Sequence, residues 1–401
     1  MLYLDFKLRI EELKVASGIK RDVFYLTGYD PRSYRYYYAL LNKNLYLQNK
    51  INALNLTLSP IQTNPQNLKY CTITHENALT QYYFCSWNTI IKQYWANSIR
   101  AYLKDFCISL KLAVSSGFLW NCLSKSRTQL IAGFYPIVFF TLSYALCFFI
   151  LNFLITLEWN PYLTLLLCVV IFVGMSWGIF TLGKKYAAFW LSNIYAFCAK
   201  YTSKNRIKGL EAWLETYSQI IFEQIRQNTS NPCYELIICS HSVGTILSVN
   251  LAARVLQKLQ HQNLPCNTLK MLTLGHCIPL VSFQKSADFF RNDLASLHKA
   301  QIVWIDFTSP IDGACFPLVD FMSIAGLAQN PYPKYLSTRF HKLYTQESYK
   351  KIRYDWYKAH FLYLYANEIL GVYDFYNLIG GPKFLEEKIT TQNPTQNFGG
   401  L

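Results

Sequence analysis

Apolar positions change their period several times along the chain, and those changes divide it into elements. Asp22 to Thr27 reads as a strand ending at Gly28-Tyr29-Asp30-Pro31-Arg32, a turn-rich sequence suited to a strand's carboxyl end. A helical pattern follows from about Tyr34 to Asn52. Leu68 to Thr74 alternates and is rich in β-branched residues, which predicts a second strand, and Gln81 to Ser86 predicts a short third. From Asn88 to about Leu123, Ile91, Tyr94, Trp95, Ile99, Leu103, Phe106 and Leu110 recur at helical steps, with Lys92, Arg100, Lys104 and Lys111 among them. One long amphipathic helix is expected there, lying either on an anionic membrane face or on the protein core. In the second half, Leu210, Trp213, Tyr217, Ile221 and Ile225 form a stripe that stops at Asn231-Pro232. Leu236-Ile237-Ile238-Cys239 is continuously apolar, as a strand buried on both faces should be, and Leu269 to Leu274 and Gln301 to Asp306 read the same way. Alternation of helix and strand predicts an α/β fold: a mostly parallel sheet with helices on both faces.

Two stretches break this alternation. Leu130 to Leu157 and Tyr162 to Leu182 carry no charged residue, and each is long enough to cross a hydrocarbon core of roughly 30 Å as a helix. Only Glu158-Trp159-Asn160-Pro161 separates them, so they predict a transmembrane hairpin with spans at about 130–157 and 162–182. Lys125 and Arg127 precede it and Lys184 and Lys185 follow it, which places both flanks in the cytoplasm by the positive-inside rule. A pair of buried core helices and a hairpin entering one leaflet are the competing readings. Ala187 to Tyr201 continues as an aromatic helix, an extension of the second span. Gly174 and Gly178 could serve a homodimer through the hairpin, and packing of the hairpin against itself accounts for them equally. The organisation expected is an N-terminal part of one domain (1–123), the inserted hairpin (124–186), the rest of that domain (187–386) and a flexible tail (387–401).

Composition narrows the class. With 401 residues and 52% hydrophobic content the chain can bury a sizeable core, which excludes a disordered protein. A net charge of +15 calls for an anionic partner. The basic residues are scattered among Tyr, Phe and Leu with no compact block, favouring the head groups of a membrane bilayer over nucleic acid. The 12 cysteines stand singly, many within apolar runs, which predicts a reducing compartment, and they make no zinc pattern with the seven histidines. No metal or cofactor is expected. Asp5, Glu11 and Glu12 in an N-terminus without a long apolar core predict no cleavable signal peptide.

The candidate chemistry begins at Ser240-His241-Ser242-Val243-Gly244, where the apolar strand gives way to a helix marked by Ile246, Val249, Leu251, Val255 and Leu256. A serine on a tight strand-to-helix turn holds its Oγ out at the sheet edge, near a helix N-terminus, as an acyl-transfer nucleophile requires. The turn brings the positions two before and two after the serine together, so both must be small. Gly244 meets this, and Ser240 stands where the usual pattern has a glycine. Such a serine needs a base, and the base an acid to orient it. Asp312, in the turn Ser309-Pro310-Ile311-Asp312-Gly313 past the strand Ile302 to Asp306, is the candidate acid, with Asp306 the alternative. His360, ahead of the aromatic run Phe361 to Tyr365, is the candidate base, with His341 its competitor. The Val243 amide and the Tyr29 amide are the expected oxyanion donors. Gly28, Arg32 and His241 are expected to contact substrate, Arg32 through an acidic group. The segment Phe316 to Tyr354, between acid and base, could cap the pocket.

Together these residues resemble the α/β-hydrolase superfamily, and in particular membrane-associated bacterial serine hydrolases with a G-[YF]-D-P-R-type turn near the N-terminus. The resemblance covers about residues 20 to 110 and 200 to 375, with the hairpin as an insertion. It implies a Ser/Asp/His mechanism through an acyl-enzyme, acting on an ester or thioester, lipid-like by virtue of the membrane, in a lipase- or esterase-like enzyme facing the cytoplasm from the inner membrane. A non-catalytic membrane adaptor on the same fold, and an acyltransferase using the same three residues, remain open.

Overall fold

The computed structural model describes residues 18–202, 207–328 and 330–389. The expectation of no signal peptide and the tail beyond residue 389 fall outside them. The sheet has nine strands: β1 (Ile19–Leu26), β2 (Thr57–Leu58), β3 (Gln62–Thr63), β4 (Lys69–His75), β5 (Ala78–Cys85), β6 (Tyr234–His241), β7 (Leu269–Leu274), β8 (Val303–Thr308) and β9 (Lys334–Ser337). They lie in the order β2-β4-β5-β1-β6-β7-β8-β9, with β3 beside β4. From β5 to β9 every pairing is parallel, whereas β2, β3 and β4 pair antiparallel at one edge. The fold is therefore α/β with a mixed sheet.

Strands buried on both faces feed two cores, because successive side chains point to opposite sides of the sheet. Phe24 and Leu26 of β1 and Leu236 and Ile238 of β6 join one cluster, and Val23, Tyr25, Ile237 and Cys239 join the other. The first core is covered by α7 (Ala188–Thr202), α8 (Leu210–Asn228), α9 (Gly244–His261) and α11 (Asp288–Ala300); the second by α1 (Tyr34–Asn52), α15 (Phe375–Gly380) and the chain around Phe361 to Tyr373. Leu385 and Ile389 are buried in that second core, so residues 387–389 belong to the packed body and not to a tail.

The long helix expected over 88–123 is three helices: α2 (Asn88–Tyr94), α3 (Ile99–Ser115) and α4 (Phe118–Lys125). Ser98 starts α3 by accepting the Ala101 amide on Oγ, at 3.3 Å, and Gly117 takes φ +79° between α3 and α4. The apolar period runs through both breaks, which is why it reads as continuous. Leu103, Leu110 and Val114 of α3 are exposed while Leu112 is buried.

The hairpin consists of α5 (Arg127–Thr156) and α6 (Pro161–Lys185). Its tip is written in the sequence: Asn160 Oδ1 accepts the amides of Tyr162 and Leu163, and Pro161 occupies the first turn, where its missing N–H costs nothing. The two helices are long and apolar enough to cross a membrane. They are not core helices, for only 6% of each one's most apolar stretch is buried. A Cβ at Gly174 or Gly178 would meet nothing within 4 Å, so packing of the hairpin against itself does not explain these glycines. Nor is α7 an extension of α6: Ala187 at φ +61° turns the chain between them.

Candidate active site

Gly28 to Arg32, Ser242 with Val243, and Asp312 lie on the segments that leave the carboxyl ends of β1, β6 and β8, and His360 packs beside them, where ligands bind in sheets of this kind. Ser242 follows β6 with φ +58°, in the left-handed region that a serine enters only when its surroundings impose it. The surroundings are tight. The Ser242 amide donates to Leu274 O at 3.0 Å. A Cβ on Gly28 would lie 2.8 Å from Ser242 Cβ, and one on Gly244 would lie 2.5 Å from Thr27 O. Backbone of the β1 turn thus packs directly on the β6 turn, and only glycine fits at either contact. Ser240 is accommodated because its Oγ bonds Ser248 Oγ at 2.9 Å inside the core, and Ser248 Oγ donates on to Thr245 O.

Asp312 and His360 meet although 48 residues separate them: His360 Nδ1 lies 2.9 Å and 3.0 Å from the two Asp312 carboxylate oxygens, with both side chains buried. Burial alone would raise the Asp312 carboxyl, but the charge and hydrogen bond of His360, helped by the Ala314 amide, outweigh it and hold the group below the ordinary carboxylate range. Asp312 is therefore ionised, and it fixes the proton of His360 on Nδ1. His360 Nε2 is left buried and without a partner among the described residues. Ser242 Oγ lies 3.9 Å from Cys277 Sγ, and no hydrogen bond joins it to Nε2. Ser242 and His360 nonetheless line the same cleft, of about 350 Å³.

The runners-up separate cleanly. Asp306 is buried, accepts Thr273 Oγ1 at 2.5 Å and is pushed up to about 8 by burial, against the opposing hydrogen bond from Thr273. Protonated at neutral pH, it cannot orient a cationic imidazole. His341 is exposed and its ring meets Tyr349.

Arg32 and His241 line the cleft and are also engaged within the protein, and the expected cap needs correction. Arg32 is engaged with Asp30, its Nε 2.9 Å and 2.7 Å from the two carboxylate oxygens, and is stacked on Tyr36, so its charge is already matched within the protein. His241 lines the cleft but is buried, and its Nε2 lies 2.8 Å from His360 O. Burial first, then the neighbouring His360, depress His241 to about 3, so the ring is neutral and Nε2–H donates to that carbonyl. Through Nε2 it ties the elbow to the chain at His360, while its Nδ1 has no partner among the described residues. Finally, no residue of Phe316 to Tyr354 lines the cleft. Its rim is built by Lys184, Lys185, Ala187 and Trp190 from the base of the hairpin and by Tyr357 and Phe361.

The hairpin base is tied to the site on several sides. Gln129 Nε2 at the start of α5 donates to Cys315 O at 2.6 Å and Gly313 O at 3.3 Å, in the loop that carries Asp312. Tyr135 hydroxyl donates to Tyr186 O at 3.0 Å. Trp190 Nε1 donates to Tyr29 O at 3.2 Å, and its ring lies 5.7 Å from that of His360. Among the described residues nothing hydrogen-bonds the amides of Tyr29 or Val243, which leaves both donors free beside Ser242.

Sequence reasoning missed Cys277, Trp190 and Gln129. Cys277 had a signal, since Gly275-His276-Cys277 follows β7 as Gly28 follows β1. Trp190 and Gln129 had none, because their roles depend on how the hairpin docks. No group of three or more His, Cys, Asp or Glu able to hold a metal occurs among the described residues. No family model, curated protein or solved structure matches this chain.

Proposed function

We propose that the chain is a membrane-anchored serine hydrolase of the α/β-hydrolase type, cleaving an ester or thioester with its catalytic face on the cytoplasmic side of the bacterial inner membrane. The observation that carries this reading is the conjunction in one cleft of a backbone-strained Ser242 and an Asp312–His360 pair whose outer nitrogen has no partner. Strain, burial and an unmade hydrogen bond in one place signal function more than packing.

In this reading His360 Nε2 takes the proton of Ser242 as Oγ bonds the acyl carbon, and Asp312 stabilises the imidazolium that forms. The amides of Tyr29 and Val243 hold the oxyanion. Collapse of the tetrahedral adduct breaks the bond to the leaving oxygen or sulfur, which receives the proton from Nε2. Water then repeats the sequence on the acyl-enzyme and releases the acid. Ser242 Oγ has to come within hydrogen-bond reach of Nε2 for this step, and such contacts are commonly long before substrate binds. The hydrolase reading of the fold is supported by the parallel run β5-β1-β6-β7-β8-β9, with the serine, acid and base following in chain order. Membrane anchoring is supported by the exposure of the hairpin's apolar surface.

The test is fluorophosphonate labelling of the detergent-solubilised protein beside Ser242→Ala and His360→Ala. Wild type should label and both variants should not. A folded wild type that stays unlabelled would put the adaptor reading first. Given labelling, products formed with added alcohol acceptors separate hydrolysis from acyl transfer.

A further inference from the structure

The hairpin does more than anchor, because its last turn forms part of the catalytic cleft. Lys184 and Lys185 both line that cleft, are exposed, and form no ion pair among the described residues. Their ammonium groups rest over aromatic rings, Lys184 over Phe180 at 4.1 Å and Lys185 over Tyr186 at 5.5 Å. The one carboxylate lining the cleft, Asp30, is consumed by Arg32. The mouth of the cleft is thus an uncompensated double positive charge, the floor holds Ser242 and His360, and the wall between is aromatic, with Trp95, Trp190 and Phe361. An acyl ester that fits this sequence of surfaces is amphipathic and carries an anion for the two lysines.

Depth fixes where such a molecule comes from. Lys184 and Lys185 end an apolar helix whose exposed apolar surface begins two residues earlier at Leu182, and cations at that place sit at the level of lipid head groups. Resting on the membrane-anchored hydrolase reading, we propose that Lys184 and Lys185 form a binding site for the phosphate of an anionic phospholipid, which enters the cleft sideways from the bilayer and presents its acyl ester to Ser242. The products are a fatty acid and a lysophospholipid that retains the phosphate. A phosphate anion could also arrive on a water-soluble ester, and the test separates the two sources.

Full-length protein reconstituted in nanodiscs would be given phosphatidylglycerol or phosphatidylcholine as bilayer substrate, with monomeric dihexanoyl-phosphatidylglycerol as the soluble arm, and fatty acid release measured. The proposal expects wild type to favour phosphatidylglycerol over phosphatidylcholine by at least about tenfold. Lys184→Ala/Lys185→Ala should bring that ratio close to one, and Lys184→Arg/Lys185→Arg should restore it. Because the readout is a ratio within each protein, incomplete folding of a variant cancels. A wild type that labels with fluorophosphonate at Ser242 but hydrolyses both lipids equally overturns this proposal alone. The same holds if the alanine pair keeps the preference, or if the soluble monomer is the faster substrate. A wild type that fails to label overturns the hydrolase reading and this proposal with it.

Discussion

The central strands carry buried charge at both ends, and the two ends obey different rules. At the amino end Arg21 of β1 faces Glu235 of β6 in register, with Lys270 of β7 beside them. Each of these three charges has an opposite charge as its partner. Arg21 Nε donates to Glu235 at 2.6 Å, and its other nitrogens reach Thr80 and the carbonyls of Ile379, Gly381 and Lys383; Glu235 also receives the Leu385 amide at 3.0 Å. At the carboxyl end Asp312 is satisfied, but His360 Nε2 has no partner and Ser242 is strained. The first cluster clamps the C-terminal segment to the sheet. The second leaves His360 Nε2 and His241 Nδ1 unpartnered among residues that line a cleft, so equal burial leaves polar groups paired at one end and available at the other.

The strongest way to break this comparison is Asp312→Asn. An asparagine keeps the shape but no longer fixes the His360 proton on Nδ1, and where the equivalent change is made in serine-histidine-aspartate sites the rate falls about 10⁴-fold. Fluorophosphonate labelling should slow on that scale while thermal unfolding shifts little. A labelling rate within tenfold of wild type in a folded variant would remove Asp312 from its proposed role.

The amino-end cluster should answer the opposite way. Glu235→Ala leaves the buried Arg21 without its carboxylate, while Lys270 keeps Glu386, and breaking a buried ion pair from one side costs about 3–5 kcal/mol. Burial alone would raise the Glu235 carboxyl, yet Arg21 and Lys270 outweigh it and hold it down at about 2. Its folded value is thus depressed, so its contribution is complete above the unfolded value near 4.3 and is lost as pH falls toward 2. Denaturant titration of Glu235→Ala should show the loss at pH 7, while the folded fraction labels at the wild-type rate. If labelling per folded molecule collapsed as well, the two ends would not be independent.

How much of this was legible in the sequence follows from what each residue depends on. β1, β6 and β7, the elbow at Ser242 and the hairpin tip at Asn160-Pro161 are local: an apolar run, a small residue or a cap specifies them within a few positions. Asp312 and His360 were ranked by chain order together with local setting, a Pro/Gly turn for the acid and a following aromatic run for the base, and these select the pair that meets. That Arg32 and His241 stand at the cleft follows from their neighbours in sequence, whereas their partners, Asp30 and the His360 carbonyl, are matters of tertiary geometry. The cap was misassigned for the same reason. Phe316 to Tyr354 lies between acid and base in sequence, while the cleft is walled by a hairpin inserted more than a hundred residues earlier. The strand β9 was missed because Lys334–Ser337 is too short to show a period.

The finest test concerns the carboxylate that lost the contest for acid. Asp306 is raised to about 8 by burial, and the nearby His276, lowered to about 3 by its own burial, offers no positive charge although its Nε2 lies only 3.7 Å away. A raised acid reverses the usual sign: between about pH 4 and 8 the folded chain keeps a proton that the unfolded chain has released, so stability falls by about 1.4 kcal/mol per unit of rising pH and levels off beyond the folded value. Asp306→Asn mimics the protonated carboxyl, can still accept from Thr273 Oγ1, and removes this term while leaving every other titrating group in place. The stability difference between variant and wild type should therefore grow in the variant's favour by about 2–3 kcal/mol from pH 5.5 to pH 7.5. Parallel curves would mean that Asp306 is ionised throughout that range. A charged Asp306 facing His276 would then be a second buried acid–imidazole pair, and the carboxyl end of the sheet would hold two candidates for the orienting acid where the geometry now favours one.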